Sequence, residues 1–155
     1  FVFVTFCGFA QNDSLKYNSV FIELGGVGGS FSLNYDRTIY FNDNFGLIAG
    51  IGFSPILINF EFSPRLPIQA KLLYQKRKHT IEMGAAFTPY LWYDDEENFS
   101  ENLKYVRLAV FGQIGYKYAM FKDKTFLGIA FTPLFRDSGV FYFVPMGALR
   151  FGYKF

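Results

Sequence analysis

The sequence predicts an all-β chain, a closed antiparallel up-and-down β-barrel of about eight strands with its bulky apolar face turned outward. Three observations carry this. Hydrophobic residues recur with period two along most of the chain. The alternate face is rich in glycine and alanine. Short polar turns alternate with longer connections. Composition adds a constraint: aromatic residues make up 22% of the chain, with 22 Phe and 11 Tyr. A domain of 155 residues cannot easily bury that many large rings in one core.

The strands are read in order at 19–25, 31–39, 45–55, 68–75, 80–89, 105–118, 125–133 and 147–155. In the second, Phe31, Leu33, Tyr35 and Ile39 alternate with Ser32, Asn34, Asp36 and Thr38. In the third, Phe45, Leu47, Ala49, Ile51, Phe53 and Pro55 share a face opposite Gly46, Gly50, Gly52 and Ser54. In the fifth, Ile81, Met83, Ala85 and Phe87 oppose Thr80, Glu82, Gly84, Ala86 and Thr88. Alternation alone also fits a soluble sandwich or a lipocalin-like barrel. The composition of the second face decides. A face turned to water tolerates long polar side chains, whereas here it carries Gly50, Gly52, Gly84, Ala86, Gly128, Ala130 and Gly152. Small residues suit a narrow, crowded lumen. The bulky face then points outward, which is stable only against lipid. The barrel is therefore expected to be transmembrane.

The connections agree. "NDN" (42–44), "KRKH" (76–79) and "KDK" (122–124) are short and polar, while segments such as "YDDEENFSEN" (93–102) are longer. Closure removes the sheet edges that invite aggregation. A spanning helix is not expected. The longest apolar stretch, 45–60, holds Gly46, Gly50, Gly52 and Pro55 and makes a poor helix of the ~20 residues required.

The first ten residues, "FVFVTFCGFA", form an uncharged apolar run ending in Gly8-x-Ala10, followed by polar "QNDS". This reads as the tail of a secretory signal peptide (residues 1–10) with cleavage before Gln11, leaving 11–155 as the barrel domain. The alternative is an ordinary first strand. Cys7 follows Phe6, where a lipoprotein signal wants a small residue, and cleavage after Ala10 removes the chain's one cysteine.

The last strand, "GALRFGYKF", places Leu149, Phe151, Tyr153 and the terminal Phe155 at alternate positions. It resembles the C-terminal signature of bacterial outer-membrane proteins. Over 18–155 the strand-and-loop rhythm most resembles small eight-stranded barrels of the OmpA, OmpX and OmpW type. That resemblance implies export, periplasmic termini and residence in the bacterial outer membrane. Its lipids and the outer-membrane insertion machinery are the implied partners. It implies no activity, because the architecture hosts anchors, adhesins, pores and enzymes alike.

A motif of the form Gly-x-small-Phe-Ser/Thr-Pro occurs three times, as "GIGFSP" (50–55), "GAAFTP" (84–89) and "GIAFTP" (128–133). The copies end the third, fifth and seventh strands, so Phe53, Phe87 and Phe131 face lipid and Pro55, Pro89 and Pro133 stand at the outer rim. Proline lacks a ladder donor and belongs where pairing stops. Tyr90, Trp92 and Tyr93 are expected in an outer aromatic girdle, and Tyr40, Tyr74, Tyr116 and Phe155 in an inner one. Pro55 is followed by Pro67, and Pro133 by Pro145. Hairpins folded about Glu61 and Gly139 would set each pair face to face and could open a lateral notch. The alternative is that these prolines only end strands.

Chemistry is sparse. A net charge of +2 points to no nucleic acid. The single histidine, His79, lies in a basic turn. The barrels that modify lipid A, to which the resemblance extends, need His with Ser near the outer rim, so no catalytic residues are assigned and the chain reads as a non-enzyme. No cofactor or metal is expected. "DDEE" (94–97) lacks the spaced ligands and glycine of a calcium loop and reads as a solvated tip. "KRK" (76–78) fits a hydrophilic turn or a contact with anionic headgroups. The lumen is more specific: alternation turns Glu23, Asp36, Lys71, Glu82 and Arg150 inward at one level, a belt of opposite charges. It reads as a salt-bridge plug, with an ion or proton path as the alternative. The expected function is a structural or surface-binding outer-membrane protein with a plugged lumen, its extracellular ligand unspecified. The alternatives are a narrow pore or lateral conduit for small apolar molecules, and a lipid-modifying enzyme.

Overall fold

Chains that alternate apolar and small residues bury neither face alone and must pair edge to edge until the sheet closes. The computed structural model, which describes residues 16–58, 61–93, 104–137 and 140–155, shows that outcome. Its strands are β1 (Lys16–Gly25), β2 (Phe31–Tyr40), β3 (Phe45–Ile58), β4 (Glu61–Arg65), β5 (Ile68–Lys76) and β6 (His79–Tyr93). They continue as β7 (Lys104–Met120), β8 (Thr125–Phe131), β9 (Leu134–Asp137), β10 (Val140–Val144) and β11 (Gly147–Lys154). Breaks at Leu66–Pro67, Thr132–Pro133 and Pro145–Met146 each divide one barrel strand in two, so the eleven segments form a closed antiparallel barrel of eight. β1 pairs with β11, Glu23 opposite Arg150, and that seam closes the sheet. The proposed signal peptide and the "DDEE" tip lie outside the described residues.

Residues 41–44, 77–78 and 121–124 form the short turns at one end. Arg77 (φ 56°) and the run Phe121, Lys122 and Asp123 (φ 44°, 59° and 63°) are left-handed there. The strand termini meet at this same end, where the Asn18 amide donates to the Phe155 carbonyl at 3.0 Å. At the far end β1 and β2 are joined by Gly25–Ser30, which turns inward.

The two faces differ as the alternation requires. Leu149 and Phe151 are 57% and 55% exposed, while Arg150 between them is 1% exposed. The small residues serve a crowded interior. A Cβ on Gly152 would lie 2.5 Å from both the Phe21 Cβ and the Phe126 Cζ, and one on Gly50 would collide with the Asp36 carboxylate.

Two aromatic residues depart from the expected girdles. Tyr90 continues the inward face of Glu82, Ala86 and Thr88 and is buried against Val27, Ala86, Ala109 and Phe111. Tyr40 shares the inward face of Asp36, lines the turn-end mouth and bonds to Gln75 through its hydroxyl. Tyr74, Tyr116 and Phe155 are exposed on the outer surface. The side chains of Trp92 and Tyr93 lie outside the described set.

Candidate functional site

Inward positions on neighbouring strands meet because antiparallel register sets them side by side. On β5 and β6, Lys71 lies across from Gly84 and Leu73 from Glu82. Across β6 and β7, Glu82 faces Gly115, with Lys117 one inward step below. Each charged residue therefore has a small neighbour that makes room for it. The five charges expected from the sequence come together, and Lys117 joins them.

Lys71 and Lys117 each reach both Asp36 and Glu82. The Lys71 ammonium lies 2.7 Å from Asp36 and 3.6 Å from Glu82. The Lys117 ammonium lies 2.5 Å from Glu82 and 3.5 Å from Asp36. Arg150 reaches Glu23 at 2.6 Å and Glu82 at 3.2 Å, and donates to the Gln113 carbonyl at 2.8 Å. Gln113 in turn donates to Gln69 at 3.0 Å, and Gln69 to Asp36 at 3.2 Å. The ring closes on itself with three carboxylates against three cations, so it carries no net charge. Ionised groups removed from water are tolerable only when paired, and each of the six has an oppositely charged partner.

Aromatic rings floor the network. The Phe21 ring lies 5.5 Å from the Lys71 ammonium, 5.2 Å from that of Lys117 and 5.7 Å from the Arg150 guanidinium carbon. Phe126, 6.0 Å from Phe21 between centroids, takes Lys117 at 4.8 Å. Cations over ring faces gain further stabilisation where water is excluded. Beside this floor a mouth of about 550 Å³ opens at the turn end, lined by Tyr17, Tyr40, Gln75 and Lys154 among others and reaching Glu82 and Lys117 of the network.

Above the network the lumen is filled differently. Gly25-Gly26-Val27-Gly28-Gly29 folds back into the barrel, and its 3-10 turn touches β1, β2, β3, β6 and β11. Gly25, Gly26 and Gly29 adopt φ of 79°, 79° and 93°, which side chains disfavour. Val27 is fully buried. Its amide donates to Glu23 Oε1 at 3.2 Å, and its carbonyl accepts from the Thr88 hydroxyl at 3.0 Å. Tyr90, Phe111, Ala86 and Ala109 surround it, with Leu134 and Met146 packed alongside. Glu23 thus serves both halves, one oxygen on Arg150 and the other on the turn. Sequence reasoning passed over this plug, although the string GGVGG was its signal.

The rim prolines fall into two cases. Pro55 faces Pro64 rather than Pro67, because the register running from Ser54↔Arg65 to Ile58↔Glu61 centres the hairpin one and a half residues before Glu61. Pro67 lies lower, where its carbonyl accepts from the Gly52 amide at 2.7 Å. The pairings Phe131↔Gly147 and Leu134↔Val144 set Pro133 across from Pro145, and both strands break there. Pairing resumes above that break, and Leu134 and Met146 occupy the space behind it beside the Val27 cluster. Pro89 sits within a continuous β6–β7 ladder opposite Leu108. On the outer surface Leu149, Phe151, Tyr153 and Phe155 are all exposed. His79 sits at the turn end, 2.6 Å from the Tyr116 hydroxyl through its Nδ1.

No protein-family model matches the sequence, and comparison with curated proteins finds no match. Solved structures do match. Neisserial surface protein A is similar over 90% of this chain and 95% of its own, at 13% identity and a TM-score of 0.56. The N-terminal β-barrel domain of Pseudomonas aeruginosa OprF covers 90% and 96%, at 13% identity and a TM-score of 0.56. Ail, the attachment invasion locus protein of Yersinia pestis, covers 93% and 100%, at 10% identity and a TM-score of 0.58. The chain has the fold of small outer-membrane β-barrels, the class its strand rhythm and C-terminal strand resemble.

Proposed function

We propose that the protein is an outer-membrane barrel with a structural or surface-binding role and a lumen closed to solutes. The observation that supports this is the pair of layers across the interior, a neutral six-charge network and an inward glycine turn packed in apolar side chains. A pore needs a continuous wet path; the turn-end mouth reaches in as far as Glu82 and Lys117, and beyond them the Val27 cluster occupies the lumen. The exposed apolar band on the outer surface supports a bilayer setting. Recognition then belongs to the connections at the end opposite the short turns, and attachment, the property in Ail's name, is the class of role that such a surface suits. The reading is non-enzymatic: His79 is engaged with Tyr116 and Tyr118 at the turn end, away from those connections.

Liposome swelling tests the closure. Vesicles carrying the folded protein should swell in isosmotic solutions of small sugars and amino acids no faster than empty vesicles. Heat-modifiable migration on gels should show that the barrel is folded in the same preparation. Swelling graded by solute size would replace the plugged reading with a pore.

A further inference from the structure

The short-turn rim is chemically lopsided. Two of its turns are neighbours, since the Ala119 amide donates to the Lys78 carbonyl at 2.8 Å and His79 lies across from Tyr118. Between them they bring Lys76, Arg77, Lys78, Lys122 and Lys124 to one arc, with Asp123 as its one carboxylate. Among the described residues, none of these five cations lies within salt-bridge distance of a carboxylate. The third turn, residues 41–44, holds Asp43 and no cation. The basic arc also borders an aromatic surface on the outside of the barrel. His79 lies 5.9 Å from the Tyr116 ring and 5.4 Å from the Tyr118 ring, both of which face outward. Phe121 projects from the left-handed turn, 80% exposed.

We propose that this arc, Lys76–Lys78 with Lys122 and Lys124 around Phe121, is a site for anionic phospholipid in the leaflet that meets the turn end. The cations take the headgroup phosphate, and Phe121, Tyr116 and Tyr118 flank the glycerol and upper acyl chain. Charge and position favour a lipid over a soluble anion. Basic residues beside a bilayer gain from negatively charged headgroups, and rings at headgroup depth anchor in the interface. The outward aromatic patch is adjacent to the cations, as a lipid spanning both zones requires. The proposal rests on the barrel lying in a bilayer, and its test separates the two claims.

The full chain carries one tryptophan, Trp92, so Trp92→Phe combined with Phe121→Trp gives a single fluorescent reporter in the arc. The protein is folded into vesicles of phosphatidylcholine with phosphatidylglycerol, with bromine on the acyl chains of one lipid at a time. Brominated phosphatidylglycerol should quench as though locally enriched ~10-fold or more over its bulk fraction, since each basic residue near the surface contributes roughly a fivefold preference. Adding Lys76→Gln, Arg77→Gln, Lys78→Gln, Lys122→Gln and Lys124→Gln should bring that enrichment to about one, with quenching by brominated phosphatidylcholine intact. Equal quenching by both lipids in the unneutralised protein would overturn the site, as would enrichment that survives the five substitutions. No quenching by either lipid would overturn the bilayer setting itself. Cosedimentation with isolated peptidoglycan that depends on the five cations, without lipid enrichment, would reassign the arc to a cell-wall polymer.

Discussion

The two halves of the lumen differ in their chemistry. Toward the turns, six charges and two glutamines form one hydrogen-bonded network; toward the far end, Val27 packs among apolar neighbours. The halves should respond differently to damage. Apolar packing loses stability in proportion to what is removed, and distant losses add. A charge network loses most when one partner goes, because the survivor is left buried and ionised, and little more when the second follows.

The largest expected effect follows from that asymmetry. Glu23→Ala takes one of its two carboxylates from Arg150 and frees the Val27 amide, and should cost ~3–5 kcal/mol in urea titrations of the vesicle-embedded barrel. Arg150 keeps Glu82 and Gln113, which places the loss toward the lower part of that range. Made in an Arg150→Ala background, the same substitution should cost far less. Additive effects would show that the pair is not coupled.

Overpacking comes next. Gly152→Leu drives a side chain into Phe21 and Phe126 beneath the charges and should cost about 1–3 kcal/mol in the same assay. No loss there would mean that the aromatic floor yields freely.

Val27→Ala should have the smallest effect, about 1–2 kcal/mol for two buried methyl groups. It keeps the amide that Glu23 accepts from. Its cost should therefore add to that of Gly152→Leu within roughly 0.5 kcal/mol. Strong coupling would mean that the two halves form one unit.

Much of this was legible in the sequence, for physical reasons. Period two fixed which face each residue takes, so Glu23, Asp36, Lys71, Glu82 and Arg150 could be brought to one level without coordinates. Lys117 was equally legible: it stands two residues beyond Gly115 and four beyond Gln113, on the same face. Tyr90 was misplaced because a girdle was expected at its height, although it continues the parity of Glu82 and Thr88. Tyr40 repeats that lesson at the other end, in the parity of Asp36. The Pro55 pairing failed on hairpin register, which depends on where the turn falls and which strand periodicity does not encode. The inward turn was hidden for a related reason: glycines permit a reversal, and only the space left inside the barrel decides its direction.

Single-channel recording in planar bilayers tests the closed lumen most directly. The full-length folded protein should give no steady unitary steps above the bare membrane, and Val27→Ala should stay silent as well, because the charge network below it remains whole. Stable, voltage-reproducible steps from the unsubstituted protein would contradict the account.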